Sequence, residues 1–116
     1  MKPDAFRKLA LELPEAVEAS HMGHPDFRVG GKIFATLGAE GERAPWGMVR
    51  LTPEQQAAFI EAEPDVFDRG KGAWGRTGAT MVRLGKARVA TMRRALTMAW
   101  RNTAPKKLVQ RFDGEV

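Results

Sequence analysis

The chain has 116 residues, of which 43% are apolar and 28% charged, with no cysteine and a formal net charge of +5. That is the scope of one domain with one core, and it excludes wholesale disorder, disulfides, thiolate nucleophiles and cysteine-held metal centres. No apolar run approaches the ~20 residues of a membrane-spanning helix, and Met1–Lys8 carries no apolar signal stretch, so a cytoplasmic location is expected.

The chain order reads as helices bracketing strands. A first helix is predicted over Asp4–Glu12, with Phe6, Leu9, Ala10 and Leu13 at helical spacing, Pro3 before it and Pro14 stopping it. A strand follows over Val17–Met22, then a turn at Gly23-His24-Pro25. Phe27–Val29 and Lys32–Leu37 flank Gly30-Gly31, the pattern of a two-residue hairpin. Residues 38–45 read as a loop and Trp46–Leu51 as the next strand. Thr52-Pro53-Glu54-Gln55 has the form of a capping box and opens a helix to about Ala62. Val66-Phe67 starts an extended segment, residues 69–78 are glycine-rich, and Ala79–Leu84 is a last strand. The final helix covers about Arg88–Thr103 and ends before Pro105. This order predicts a single α+β domain over residues 1–116, with a mostly antiparallel sheet and helices on one face. Leu9, Phe34, Val49, Phe59, Val82, Leu96 and Trp100 are its expected core.

Charge is distributed unevenly along this order. Residues 1–68 hold 7 Lys+Arg and 12 Asp+Glu, residues 69–116 hold 12 and 2, and the 44 residues Arg69–Phe112 contain no acid. Such a stretch implies either an anionic partner or pairing with the acidic half. On the final helix, Val89, Met92, Leu96, Ala99 and Trp100 share one sector, while Lys86, Arg93, Arg94 and Arg101 share a second, a row of groups suited to phosphate. In the glycine-rich stretch, Arg69, Lys71 and Arg76 surround Trp74, which reads either as a basic wing that stacks on bases or as a turn folded onto the core. Lys106, Lys107 and Arg111 would add a mobile basic tail.

Catalytic patterns are sparse. His21, His24 and Asp26 could in principle hold a metal but have no further strong ligand beside them, and Ser20-His21 are neighbours that point to opposite faces of a strand. No metal, cofactor or enzymatic reaction is expected.

Several of these segments together resemble the MmcQ/YjbR family: Leu13-Pro14-Glu15-Ala16-Val17-Glu18, Phe27 through Ala35 with its Gly30-Gly31-Lys32-Ile33-Phe34-Ala35 hairpin, Val49-Arg50-Leu51-Thr52-Pro53-Glu54, Ala73-Trp74-Gly75 and Ala99-Trp100-Arg101. The resemblance spans nearly the whole chain. It implies a fold similar to that of frataxin and CyaY, and DNA binding through a double-wing motif, with no catalytic set to carry over. Where frataxins place acid on the first helix to bind iron, this helix carries Lys2, Arg7 and Lys8 beside Asp4 and Glu12.

The resulting expectation is a monomer that binds double-stranded DNA with little sequence choice, through Arg69, Lys71, Trp74, Arg76, Lys86, Arg93, Arg94 and Arg101, with hairpin tips at Gly30-Gly31 and around Trp74 as wings. The competing expectation is a structural domain, or one holding a small anion at His21, Arg28 and Lys32.

Overall fold

The computed structural model describes residues 1–39 and 41–114. Six strands form one antiparallel sheet: β1 (Val17–His21), β2 (His24–Val29), β3 (Lys32–Leu37), β4 (Trp46–Arg50), β5 (Phe67–Arg69) and β6 (Ala79–Arg83), in the spatial order β1-β2-β3-β4-β6-β5. Helices α1 (Pro3–Leu11), α2 (Pro53–Ala62), α3 (Gly72–Arg76), α4 (Val89–Thr103) and α5 (Lys106–Gly114) complete it, with a 3-10 turn at Leu84–Lys86.

Register assigns the faces, because directly opposed residues in an antiparallel pair share a side. Ala35 opposes Val49, Val49 opposes Thr80, and Gly47 opposes Val82. This side meets the helices: a Cβ on Gly47 would touch the Phe6 ring of α1, and α4 packs along β3 and β4. Here Phe6, Phe27, Phe34, Val49, Val82, Met92, Leu96 and Trp100 are all sealed from solvent. Thr36, Met48 and Met81 oppose one another on the other side, with Trp46, Arg50 and Asp26.

Local chemistry explains most boundaries. Pro3 opens α1, and Thr52 and Gln55 form a reciprocal capping box at α2, at 3.1 and 2.9 Å. At the β2–β3 hairpin, Gly30 and Gly31 have φ of 59° and 79°, the left-handed pair that a two-residue turn of this hand requires. Next to it, Phe34 has no opposite residue, since Phe27 pairs with Ala35 and Arg28 with Ile33. This bulge turns Phe34 into the core.

Five expectations are corrected. The β1–β2 turn is Met22-Gly23, and His24 and Pro25 belong to β2 because His21 pairs directly with His24. The glycine-rich stretch does connect the antiparallel pair β5 and β6, but as the helix α3 and not as an extended wing, anchored by the Gln56 side chain, which donates to the Gly75 carbonyl at 3.0 Å. The mobile tail is a helix, α5, whose Leu108 is buried and whose Phe112 ring lies 5.0 Å from that of Trp100. Val89 stands half-exposed at the first residue of α4, before that helix reaches the core at Met92. Phe59 is only partly buried and packs at the core's margin, 5.0 Å from Phe67; the other six expected core residues are buried.

Candidate functional site

The side of the sheet away from α1 and α4 carries a depression of about 420 Å³. Alternation along β3 and β4 sends Thr36, Trp46, Met48 and Arg50 to this side, and His21, His24, Lys32 and Ile33 wall one end of it. Asn102, near the end of α4, also lines it and donates to the Arg50 carbonyl at 3.1 Å. Trp74 leans in from α3 and is 44% exposed.

Two further depressions share walls with the first. One, of about 660 Å³, takes Lys32, Asn102 and Thr103 from it and continues past Gly30 to Arg101 and Lys106. The other, of about 380 Å³, takes Trp46 and Trp74 and continues to Arg69, Lys71 and Arg83. The three therefore form a track across the molecule, with cations in each section.

Beside the central depression lies an ionic cluster around one buried carboxylate. Asp26 has no solvent exposure, and its carboxylate accepts from Arg28 Nε at 2.8 Å, Arg28 Nη2 at 3.1 Å and His21 Nδ1 at 2.7 Å. The Arg28 hydrogen bonds hold Asp26 below the usual carboxylate range against the opposing cost of burial, with His21 adding to the effect. A carboxylate can only accept, so His21 Nδ1 carries the proton of that bond, which leaves its Nε2 on the side of the ring away from Asp26. Next to it, the His24 ring lies 6.1 Å from His21 and 5.6 Å from Trp46, and its Nδ1 is enclosed without a partner among the described residues.

Removing the Asp26 charge has a calculable consequence. Asp26→Asn should cost about 1.5–3 kcal/mol near neutral pH, the worth of hydrogen bonds to a charged group. Because the folded carboxyl titrates below its unfolded value of about 3.9, its contribution is complete above that pH and is lost as pH falls through the lower, folded value. Urea midpoints should therefore separate wild type from Asp26→Asn at pH 7 and converge as the pH is lowered below about 4.

The residues expected to bind phosphate are divided between two sides of the molecule. Arg69, Lys71 and Trp74 line the track, and Arg101 reaches its far section. Arg93 lies on the helix layer, where its Nη1 donates to Glu12, just after α1, at 3.0 Å, and the exposed Arg94 follows it on α4. Lys86 lies in the 3-10 turn, and with Arg88 it lines a separate hollow beside Pro64. Arg76 is exposed on α3 and lines none of the three depressions. Arg101 is paired with Asp113 of α5, which lowers the Asp113 pKa. Of the alternative anion set, His21 and Lys32 line the central depression, while Arg28 is committed to Asp26.

Sequence reasoning missed Trp46, Arg50 and Asn102 as site residues. The strand alternation of Trp46, Met48 and Arg50 was a usable signal; nothing local marks Asn102, which arrives from the far end of α4.

A family model described as YjbR matches residues 11–102. The crystal structure of Deinococcus radiodurans protein DR2400, which carries a DUF419 domain, is similar with a TM-score of 0.73 and 17% identity, over 97% of this chain and 85% of that one. At that identity the likeness is one of fold. No curated protein matches the sequence.

Proposed function

This chain belongs to the YjbR family, and we propose that it binds nucleic acid, with little sequence preference and without catalysing a reaction, along the side of the sheet that α1 and α4 leave open. The observation that supports this reading is the track itself. Lys32, Arg50, Arg69, Lys71 and Lys106 occur along it, and none forms an ion pair with a described carboxylate. Its one acidic wall residue among the described residues, Asp68, is neutralised by Arg83 at 2.9 Å. A row of cations with a shared outlet fits a polyanion better than a single small anion, which needs an enclosed pocket.

Phosphate contacts fix position and carry no sequence information, so binding should fall steeply with salt and vary little with sequence. The double variant Lys32→Ala with Arg50→Ala should weaken every sequence alike and make the log–log salt slope shallower by about 1.4–1.8, at 0.7–0.9 per phosphate lost. The double variant Arg93→Ala with Arg94→Ala, on the helix layer, should leave affinity within about twofold, since those side chains are far from the track and rim charges contribute little. Fluorescence anisotropy with labelled oligonucleotides at several salt concentrations measures both. Absence of binding to single or double strands at about 50 mM salt and micromolar protein refutes the reading.

A further inference from the structure

We infer that the track takes an unpaired strand and discriminates against duplex, with Trp74 and Trp46 as the stacking wall for a base. This rests on the nucleic-acid reading and narrows it. The two tryptophans are the shared wall of the central and outer depressions, so a chain passing from one to the other must pass them. Trp74 is exposed although it is large and apolar, and it stands beside Arg69 and Lys71, which have no described carboxylate partner. An aromatic face next to unpaired cations suits a nucleotide: the ring takes the base and the cation takes its phosphate.

The shape selects the unpaired form. A duplex keeps its base faces stacked inside and offers only edges, through a major groove about 12 Å wide that admits a protruding helix or ribbon. Neither of the two expected wings protrudes in that way. The Gly30-Gly31 tip is backed by the Pro105 ring, which a Cβ on Gly30 would meet at 3.1 Å, and the Trp74 segment is a short helix laid against β6. The tryptophans line hollows, and a hollow is filled by a base that has left its stack. Unpaired bases offer faces to Trp74 and Trp46, phosphates meet Arg50, Lys32 and Lys71, and the strand continues toward Lys106. About four nucleotides would span the three sections, the lower end of site sizes for one small domain.

The experiment compares a fluorescein-labelled oligothymidine about 12 nucleotides long with a duplex of equal length and mixed sequence. The single strand should bind at least about tenfold more tightly, the equivalent of one stack, with a log–log salt slope near −3 for four phosphates. Trp74→Ala should weaken the single strand by about 5- to 100-fold while changing duplex affinity by less than about twofold. Trp74→Phe, which keeps a ring, should recover most of that loss. Because Trp74 is exposed, the variants should remain folded, and a circular dichroism melt establishes it. Duplex binding as tight as single-strand binding, or a single strand indifferent to Trp74→Ala, overturns the inference and leaves the broader function standing. Failure of both probes to bind removes the broader function with it.

Discussion

Trp100→Ala is expected to be the most damaging truncation in the molecule, at about 3–5 kcal/mol, the range for a fully buried Phe or Trp cut to Ala. The side chain has no exposure and serves three elements at once. Its ring sits in the core of α4, its indole Nε1 donates to the Pro14 carbonyl at 3.0 Å, and Phe112 of α5 lies against it at 5.0 Å. The truncation therefore opens a cavity, orphans a carbonyl after α1 and undocks α5. Against a typical stability of about 5–15 kcal/mol, this leaves little margin. Trp100→Phe isolates the parts: it retains most of the buried area and should cost about 1–3 kcal/mol through the unpaired Pro14 carbonyl and the lost ring volume. Urea midpoints would show the order wild type, Phe, Ala. A Trp100→Ala midpoint within about 0.5 kcal/mol of wild type would contradict the buried position of this residue.

Why these three contacts were only partly legible in sequence is instructive. The spacing of Met92, Leu96, Ala99 and Trp100 gives the buried face of α4 directly. The partner Phe112 was obscured by Pro105, which reads as the end of a helix. Here Pro105 also begins the next one, its carbonyl accepting from Leu108 and Val109 at 3.0 and 3.1 Å. Proline suits both roles, because it lacks the amide that the first helical turn leaves unpaired anyway. Leu108, Val109 and Phe112 carry the helical spacing, but three positions after a stop signal are too few to announce a helix against a basic background. The capping box at Thr52 and the glycine pair at 30 and 31 were readable because each is a purely local solution to a backbone requirement. Helix α3 was not, because four glycines in ten residues have no helical propensity. Its stability comes from elsewhere in the chain, through Gln56.

The charge pattern was half-legible for a similar reason. Sequence shows a basic second half and leaves open whether it faces a partner or the acidic first half. The fold uses both answers. Arg93 and Arg111 pair with Glu12 and Glu15 from the acidic half, on the exposed helix layer, where each pair contributes about 0–1 kcal/mol. Arg69, Lys71 and Lys106 remain on the track without such partners. Asp26 was not legible as a structural centre: in sequence it stands with His21 and His24 as a sparse ligand set after a turn, and only the His21–His24 register brings His21 of β1 onto it beside Arg28 of its own strand.

Gly75→Ala should destabilise by about 2–6 kcal/mol and also displace the stacking wall of the track. Gly75 is buried, and a Cβ there would overlap the Gly70 carbonyl and press on the Arg69 stem. The colliding atom is backbone, so side-chain rotation cannot relieve it, and α3 must move away from the end of β5. That displacement pulls the Gly75 carbonyl off Gln56 Nε2, which also donates to the Ala79 carbonyl at 2.9 Å and to Thr80 Oγ1 at 3.2 Å. Gln56 is only 2% exposed, so any bond it loses is not replaced by water. Overpacking of about 1–3 kcal/mol and an impaired buried amide of about 1–3 kcal/mol combine to the stated range. Gly85→Ala is the internal comparison, since a Cβ there meets nothing within 4 Å, and it should stay within about 0.5 kcal/mol of wild type. Binding carries the second half of the test. Every cation of the track is retained in Gly75→Ala, so the salt slope should persist while single-strand affinity falls about tenfold as Trp74 shifts with α3. Loss of affinity with an unchanged slope assigns the defect to stacking. A stable Gly75→Ala protein with full affinity would mean that α3 does not dock as closely as the Gly70 carbonyl requires.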